Sequence, residues 1–298
     1  MAFFIETVLN GLLAGVLYSL VALGFVLIFK ASGVFNFAQG SMVLFAALTF
    51  VGLLEFGLPI ILALIVSVAV MVFVAYAIER TVLRPLVNQP QIILFMATIG
   101  VFYFLDGFGQ TIWGSDIKQL DIGIPQSPIF IPFGDGDLLV TQIDLFAAAV
   151  GGVMVVVLAI LFQRTKMGRA LRAVADDHQA AQSVGIPLRS VWIVVWAVAG
   201  IVGLVAGIMW GSKLGVQFSL SLVALKALPV LLLGGLTSIP GAIIGGLIIG
   251  SGEKVAEIFL GPLIGAQAIE DWFAYMLAMV VLMFRPQGLF GEKIIERV

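Results

Sequence analysis

The chain has 298 residues, of which 61% are hydrophobic and 11% are charged, and its net charge is −2. Ordinary soluble domains carry about 25% charged residues, so this composition excludes a water-soluble globule and indicates a membrane protein. The sequence has no cysteine and a single histidine, His178, which excludes disulfides and thiolate or imidazole metal clusters. We therefore expect no metal site, and the small net charge gives no sign of nucleic-acid binding.

Long runs without charged residues predict helices that cross a bilayer. Residues 7–29, 56–78, 145–162 and 272–284 form such runs, and a crossing helix needs about 20 apolar residues. None of these runs alternates apolar and polar residues as the strand of a membrane barrel does. We predict an all-α fold, a polytopic transmembrane helical bundle with about 8 to 9 spanning segments, some of them discontinuous. The predicted helices are 5–29, 36–54, 57–79, 91–113, 142–163, 190–212, 221–235, 240–259 and 267–284.

Basic residues predict the orientation, because cytoplasmic loops of membrane proteins are enriched in lysine and arginine. With the N-terminus outside, most of the fifteen basic residues fall in cytoplasmic connections. We therefore expect an outside N-terminus and a cytoplasmic C-terminus. The segment 221–235 is short and contains Lys226, so it could instead be re-entrant, but this alternative would place the basic C-terminal residues outside.

The longest connection on the outside covers residues 114–141. It contains Pro125, Pro128 and Pro132. Proline lacks a backbone N–H and restricts the residue before it, so these positions favour an irregular surface loop.

The longest cytoplasmic connection covers residues 164–189, which we call the coupling segment. Its alanine-rich part predicts a helix over 170–184 that is capped or divided at Asp176 and Asp177 and is ended by Gly185. Such a helix offers a docking surface on the cytoplasmic face. The alternative is a solvated loop whose arginines only follow the charge rule.

Polar and glycine-rich interruptions occur at residues 33–40 and 233–241. Broken helices at membrane depth often form transporter sites, although both interruptions could be ordinary turns. Asn36 and Gln39 lie three residues apart and would share a helix face, where their amides would bind a polar substrate or a neighbouring helix. Glycines at four-residue spacing are typical of close helix packing. They are Gly11, Gly15, Gly203, Gly207 and Gly211.

Asp106 and Lys226 are ionisable residues within apolar segments, where a charge is costly and suggests a function. Both fall toward the outer ends of their helices, so Lys226 could snorkel to the headgroups and Asp106 could be solvated. The sequence contains no nucleotide-binding or catalytic motif. The candidates for the substrate pathway are Asn36, Gln39, Ser41, Thr98, Asp106 and Lys226.

A series of short blocks stands out in the sequence: residues 10–24, 27–40, 165–176, 181–186, 225–227, 233–242 (LGGLTSIPGA), 245–246, Glu253 and 285–291 (RPQGLFG). These blocks resemble the branched-chain amino-acid permease family of bacterial ABC importers. The blocks occur in order over nearly the whole chain. Gln39 departs from the pattern, since the family usually has histidine there, which puts a proton-linked role of this position in doubt.

The resemblance implies one transmembrane permease domain over residues 1–298 in a bacterial inner membrane. Its expected partners are the bilayer, a second homologous permease, two cytoplasmic ATPase subunits and a periplasmic solute-binding protein. The chain itself would be no enzyme and would carry no cofactor, because ATP and Mg would belong to the ATPases. Branched-chain amino acids are the default substrate, while urea, short amides and aromatic acids stay open. The residues implied in coupling are Gly168, Arg169, Arg172, Asp176, Ala181 and Gly185.

Two further classes of function remain as alternatives. A secondary transporter or channel acting alone is motivated by Asp106, Lys226 and the interrupted helices. A membrane-embedded enzyme or assembly scaffold has less support, because no paired catalytic residues occur in the sequence.

Overall fold

The computed structural model describes residues 2–86, 89–133, 136–265 and 269–291. Within these ranges the chain forms twelve α-helices and one two-stranded sheet. The helices are α1 (Ala2–Ser32), α2 (Gln39–Glu55), α3 (Ile60–Ile78), α4 (Gln91–Trp113), α5 (Gln142–Arg164), α6 (Lys166–Asp176), α7 (His178–Ser183), α8 (Leu188–Leu214), α9 (Val223–Gly234), α10 (Ile239–Val255), α11 (Gly261–Ile264) and α12 (Ile269–Phe284). The strands are β1 (Pro128–Phe133) and β2 (Gly136–Thr141). Short π-helical turns, Glu79–Leu83 and Ala256–Leu260, extend α3 and α10, and 3₁₀ turns occupy Arg84–Leu86 and Phe218–Leu222.

Five helices of the described chain are long and apolar enough to cross a membrane: α1, α3 with its extension to Leu86, α4, α5 and α8. The segments Phe218–Gly234 and Ile239–Leu263 are apolar and long enough for a membrane span only when they are taken together. The angle between them is 115°, as in a broken span or a re-entrant loop. Helix α2 and the apolar part of α12 are shorter. The predicted helical fold is thus confirmed, whereas the predicted number of eight to nine crossings is not. Residues 267 and 268 of the last predicted helix lie outside the described residues.

The loop 114–141 is more regular than predicted. Strands β1 and β2 form an antiparallel hairpin in which Pro128 pairs with Thr141 and Pro132 with Asp137. A two-stranded ribbon tolerates proline because both strands are edges, so a missing N–H is costly only where it would face the partner strand. At the edge of β2 that does not face β1, Leu139 donates its N–H to the carboxylate of Glu6 (3.3 Å). Its carbonyl accepts a hydrogen bond from the side-chain amide of Asn10 (3.3 Å), and both partners lie on α1. Side chains of α1 therefore satisfy part of the free edge of the hairpin.

Contacts divide the chain into two compact units. Unit 1 consists of residues 1–22, 123–152 and 224–298, and unit 2 consists of residues 23–122 and 153–223.

The centre of unit 2 is α2, whose residues 39–52 are all buried. It packs against α8, α4, α3 and the 3₁₀ turn at Phe218–Leu222. Small residues of α8 allow the close approach: a Cβ on Gly207 would lie 2.6 Å from the carbonyl oxygen of Val43 on α2. The predicted packing role is confirmed for Gly207, whereas Gly203 lies at ordinary contact distance from Val43.

Unit 1 is organised around the contact of α1 with α10. A Cβ on Gly15 would lie 2.4 Å from the carbonyl oxygen of Gly246, and one on Gly11 would lie 2.7 Å from that of Gly250. Glycine on both helices therefore brings the two backbones into direct contact, as the spacing of Gly11 and Gly15 predicts.

Two sequence blocks that are far apart in the chain meet at the end of α9. Residues 285–291 follow α12, and within them Leu289 and Phe290 donate their N–H groups to the carbonyls of Leu233 (2.8 Å) and Gly234 (3.1 Å). These carbonyls end α9 and would otherwise lack an intrahelical donor. Ser238 then caps α10 by accepting the N–H of Gly241 at 3.0 Å.

Candidate functional site

Four of the predicted substrate-pathway residues surround the interruption between α1 and α2. Asn36, Gln39, Ser41 and Thr98, which we call the polar cluster, are all buried in unit 2. The side-chain oxygen Oδ1 of Asn36 accepts the N–H of Ala38 at 3.1 Å, and the side-chain nitrogen Nδ2 lies 3.5 Å from Oε1 of Gln39. Asn36 therefore forms an Asx turn that starts α2.

Gln39 connects α2 to two neighbouring helices. Its amide nitrogen donates to the carbonyl of Ala199 on α8 at 3.4 Å. The same nitrogen is packed so closely on α1 that a Cβ on Gly24 would lie 2.1 Å from it. Of the two roles that the sequence leaves open for this amide, the structure shows the bond to a neighbouring helix.

Thr98 attaches α4 to the same interruption. Its hydroxyl accepts the N–H of Phe37 at 3.0 Å and donates to the carbonyl of Phe95 at 2.8 Å. Ser41 donates to the carbonyl of Ala38 at 2.9 Å. Each member of the polar cluster is thus hydrogen-bonded within the protein, and contact with a substrate would require some of these bonds to open.

Asp106 and Lys226 do not belong to the polar cluster. Asp106 is partly exposed on α4 and accepts a bond from Gln110, one turn later, at 3.3 Å. Lys226 lies in unit 1, where its ammonium is 3.8 Å from the carboxylate of Glu253 on α10. Lys226 therefore has an acidic partner, and that partner is absent from the sequence-based candidates.

Glu253 is buried to 3% exposure and also accepts a hydrogen bond from the hydroxyl of Tyr18 on α1 at 3.4 Å. Tyr18, Lys226 and Glu253 thus join α1, α9 and α10 through one carboxylate. The signal in the sequence is a carboxylate within the predicted helix 240–259, where charge is costly. Because Lys254 follows it directly, Glu253 resembles part of a polar helix end.

A second buried carboxylate, Glu79, was also missed. It is 1% exposed at the junction of α3 and the following π-helical turn, and Arg189 Nε on the first turn of α8 lies 3.8 Å from its Oε2. This oxygen has no hydrogen-bond partner in the described part of the chain. Glu79 directly follows the charge-free run 56–78, so the sequence makes it look like the exposed end of a helix.

The coupling segment is helical, as predicted, but its first helix begins earlier. Thr165 accepts the N–H of Gly168 at 3.0 Å and so starts α6 at Lys166 rather than near residue 170. A Cβ on Gly168 would lie 2.1 Å from the carbonyl oxygen of Phe162, so glycine is required where α6 approaches the end of α5.

Asp177 divides the helical part of the coupling segment, and Gly185 ends that part. Asp177 has an extended backbone between α6 and α7, and its carboxylate accepts the N–H of Ala180 at 3.0 Å. Gly185 has φ +84°, a conformation that favours glycine at a helix end. Both features confirm the sequence prediction.

The six predicted coupling residues separate into two groups. Gly168 and Ala181 are buried, and Gly185 forms the turn, so these three shape the segment. Arg169, Arg172 and Asp176 are exposed at i, i+3 and i+7 and therefore lie on one side of α6. Arg172 also donates to the carbonyl of Phe162 and so caps α5. Arg169 and Asp176 are the other two exposed side chains of this group.

Comparison with known proteins assigns the chain to a family. A family model described as "Branched-chain amino acid transport system / permease component" matches residues 7–284. The chain belongs to this family.

Full-length relatives carry the same description. The high-affinity branched-chain amino acid transport system permease protein BraD of Pseudomonas aeruginosa is 29% identical, with 99% of this chain and 98% of that protein covered. The corresponding LivH protein of Escherichia coli is 27% identical, with 99% and 98% covered. A probable LivH of Methanocaldococcus jannaschii is 28% identical, with 91% and 88% covered.

Among solved structures, "PsaBC from Streptococcus pneumoniae in complex with Fab" matches 93% of this chain and 91% of that chain, with 14% identity and a TM-score of 0.49.

Proposed function

We propose that the chain is the membrane-spanning permease subunit of an ATP-driven importer for branched-chain or other hydrophobic amino acids. Family membership over residues 7–284 carries the proposal. The names of the relatives from bacteria and from an archaeon support the same substrate class. Uptake of radiolabelled leucine into cells that contain only this importer tests the substrate, and uptake of urea, a short amide or an aromatic acid instead of leucine would refute it.

The partners follow from the same proposal. Two cytoplasmic ATPase subunits bind ATP and Mg, a second homologous permease completes the pathway, and a periplasmic solute-binding protein delivers the substrate. ATP binding draws the ATPases together, and the coupling segment carries this displacement into the membrane helices. The contact of α6 with α8 provides a route, because α8 packs on both α2 and α3.

Arg169, one of the two exposed arginines of α6, tests the coupling role. Arg169→Glu reverses a charge on the exposed side of the segment and should abolish ATPase association and uptake, while leaving the fold unchanged. Arg285→Glu, also at an exposed position, is the matched control and should retain both. Co-purification of the ATPases and uptake are the measurements, and normal association of the Arg169 variant would refute this role. Gly185→Pro is a weaker test, because the positive φ of Gly185 makes misfolding the expected result.

The proposed topology has eight to nine crossings in one permease domain over residues 1–298, with the N-terminus outside and the C-terminus in the cytoplasm of a bacterial inner membrane. The distribution of basic residues supports this orientation. Because the chain has no cysteine, a single cysteine at exposed Ser127 or Gln182 reports the side directly. Labelling of the Gln182 position by an impermeant reagent in intact cells would refute the orientation.

The polar cluster, with Asp106 and Lys226, remains our proposal for the substrate pathway. Its buried amides support this role, since a polar solute needs such groups in an apolar protein. Alanine at Asn36 or Gln39 should raise the KM for uptake. An unchanged KM in folded variants would remove these two residues from the pathway.

A further inference from the structure

An apolar groove of about 530 Å³ opens between α3 and α4 in unit 2. Both helices pack on α2, and Phe45 of α2 contributes to the lining of the groove. The lining residues are apolar except for Thr81, and they include Phe73 on α3 with Gly100, Phe104 and Phe108 on α4. The volume lies within the range of about 300–1,000 Å³ that is typical of ligand sites.

The shape of the groove suits an extended hydrocarbon chain. On α3 and the π-helical turn that extends it, the lining runs from Phe73 to Val82. This corresponds to a rise of about 14 Å along a helix. Phe73 and Phe104 at its walls are 68% and 63% exposed. Both helices are apolar enough to cross a membrane, so in a bilayer this opening lies at the depth of the hydrocarbon.

The end of the groove near the C-terminus of α3 is positively charged. Arg80 and Arg84 are exposed there, and each lies three residues after a lining residue, Ala77 or Thr81. Residues three apart are neighbours on a helix surface, so both arginines flank the lining. Arg80 also donates to the hydroxyl of Tyr76, one turn earlier, at 3.3 Å. The adjacent acidic residue, Glu79, is buried against Arg189 and therefore does not neutralise this surface.

We propose that this groove binds one phospholipid with an anionic headgroup. An acyl chain occupies the space between α3 and α4, and the headgroup phosphate pairs with Arg80 and Arg84. Guanidinium groups bind phosphate oxygens with two parallel hydrogen bonds, which makes arginine suited to this headgroup. The proposal is independent of the transported substrate and of the ATPase partners.

The chain offers a matched pair of glycines for testing the acyl-chain site. A Cβ on Gly100 or on Gly107 would meet no atom within 4 Å, and both glycines belong to α4, but only Gly100 lines the groove. Gly100→Phe therefore places a ring at the groove from a position where the Cβ has free space, and Gly107→Phe adds the same ring elsewhere on α4. Equal unfolding midpoints in detergent, without added lipid, establish that the two variants are comparable.

The measurement is native mass spectrometry of the full-length chain, with any partners it retains, after incubation with phosphatidylglycerol or phosphatidylethanolamine. We expect wild type and Gly107→Phe to retain one phosphatidylglycerol in preference to phosphatidylethanolamine, and Gly100→Phe to lose it. Equal retention of both lipids by the wild type, or the same result for both glycine variants, would overturn the proposal. Loss of a co-purifying membrane protein in Gly100→Phe, with no bound lipid in the wild type, would overturn it too, since the groove would then be a protein interface.

The headgroup assignment has its own test. Replacing Arg80 and Arg84 together by glutamine should weaken phosphatidylglycerol binding by about tenfold or more, because charge-assisted bonds to the phosphate are lost. Arg285→Gln, at an exposed position outside the groove lining, is the control and should bind as wild type does. Unchanged phosphatidylglycerol affinity in the double variant would overturn the assignment.

Discussion

Each of the two units contains a buried glutamate with a basic residue 3.8 Å away, but the two carboxylates are held differently. Glu253 of unit 1 has Lys226 on α9 and the hydroxyl of Tyr18 on α1 around it. Glu79 of unit 2 faces Arg189, and its Oε2 has no hydrogen bond in the described part of the chain. The comparison indicates that Glu253 ties three helices together, whereas Glu79 contributes little to stability.

Both carboxylates are next to an irregular turn. Glu79 is the first residue of one π-helical turn, and Glu253 precedes the other by three residues. Such turns are frequent at functional sites. A buried charge that gains little from its partner is costly. We therefore hypothesise that Glu79 is retained for movement, because its partner Arg189 is the last residue of the coupling segment and lies on the first turn of α8.

The largest effect should follow removal of the cation beside Glu253. Lys226→Met removes the ammonium 3.8 Å from the buried Glu253 carboxylate and should destabilise the protein by about 2–3 kcal/mol, less than a fully buried pair because the Lys226 side chain is 35% exposed. Adding Glu253→Gln to this variant should restore most of the loss. Thermal unfolding in detergent measures both effects.

The control for this prediction is Lys254→Met. Lys254 pairs with Glu257 at 2.7 Å, but both side chains are more than a third exposed, so this pair should contribute less than about 1 kcal/mol. If the Lys226 and Lys254 variants unfold at the same temperature, Glu253 is not the tie between helices that the structure indicates.

An intermediate effect should distinguish the two glutamates from each other. Glu253→Gln weakens the bonds to Lys226 and Tyr18 and should cost about 1–2 kcal/mol. Glu79→Gln should leave stability within about 0.5 kcal/mol of wild type or raise it, because neutralisation removes the cost of a buried charge that lacks a hydrogen bond. Unfolding midpoints of the two variants provide the comparison.

The same variants test the hypothesis on movement. Glu79→Gln should reduce uptake per folded molecule by more than its stability explains. Wild-type uptake in Glu79→Gln would contradict the hypothesis, and equal unfolding midpoints of the two variants would contradict the comparison itself.

The smallest effect concerns the hydroxyl of Tyr18, which donates a hydrogen bond to Glu253. In the described part of the chain, Oε2 of Glu79 has no such donor. Tyr18→Phe removes one long hydrogen bond to a carboxylate that keeps its ion pair, and should cost about 1 kcal/mol. The unfolding midpoint measures this, with Tyr103→Phe as control because that ring is exposed on α4. A loss as large as that of Lys226→Met would show that the hydroxyl, rather than the ion pair, holds the carboxylate.

Local signals made the coupling segment predictable. The division at Asp177 and the end at Gly185 depend on hydrogen bonds and backbone preferences within a few residues, which the sequence displays directly. The early start of α6 was missed because its cap, Thr165, precedes the alanine-rich stretch on which the prediction was based. Asn36, Gln39 and Ser41 are close together in the sequence, but the position of Thr98 beside them and the bond of Gln39 to Ala199 depend on helices far away in the chain.

The membrane environment, the helical class and the family are already contained in the amino-acid sequence, because composition decides which solvent a chain can occupy and short motifs retain their spacing. The burial of α2 and the partners of Glu79 and Glu253 cannot be read from the sequence. A helix inside the protein and a helix in lipid have equally apolar neighbours, so hydropathy does not separate them. The positions of the buried charges are therefore set by packing: by the close approach of α1 and α10 at their glycines in unit 1, and by the contact of α3 with α8 in unit 2.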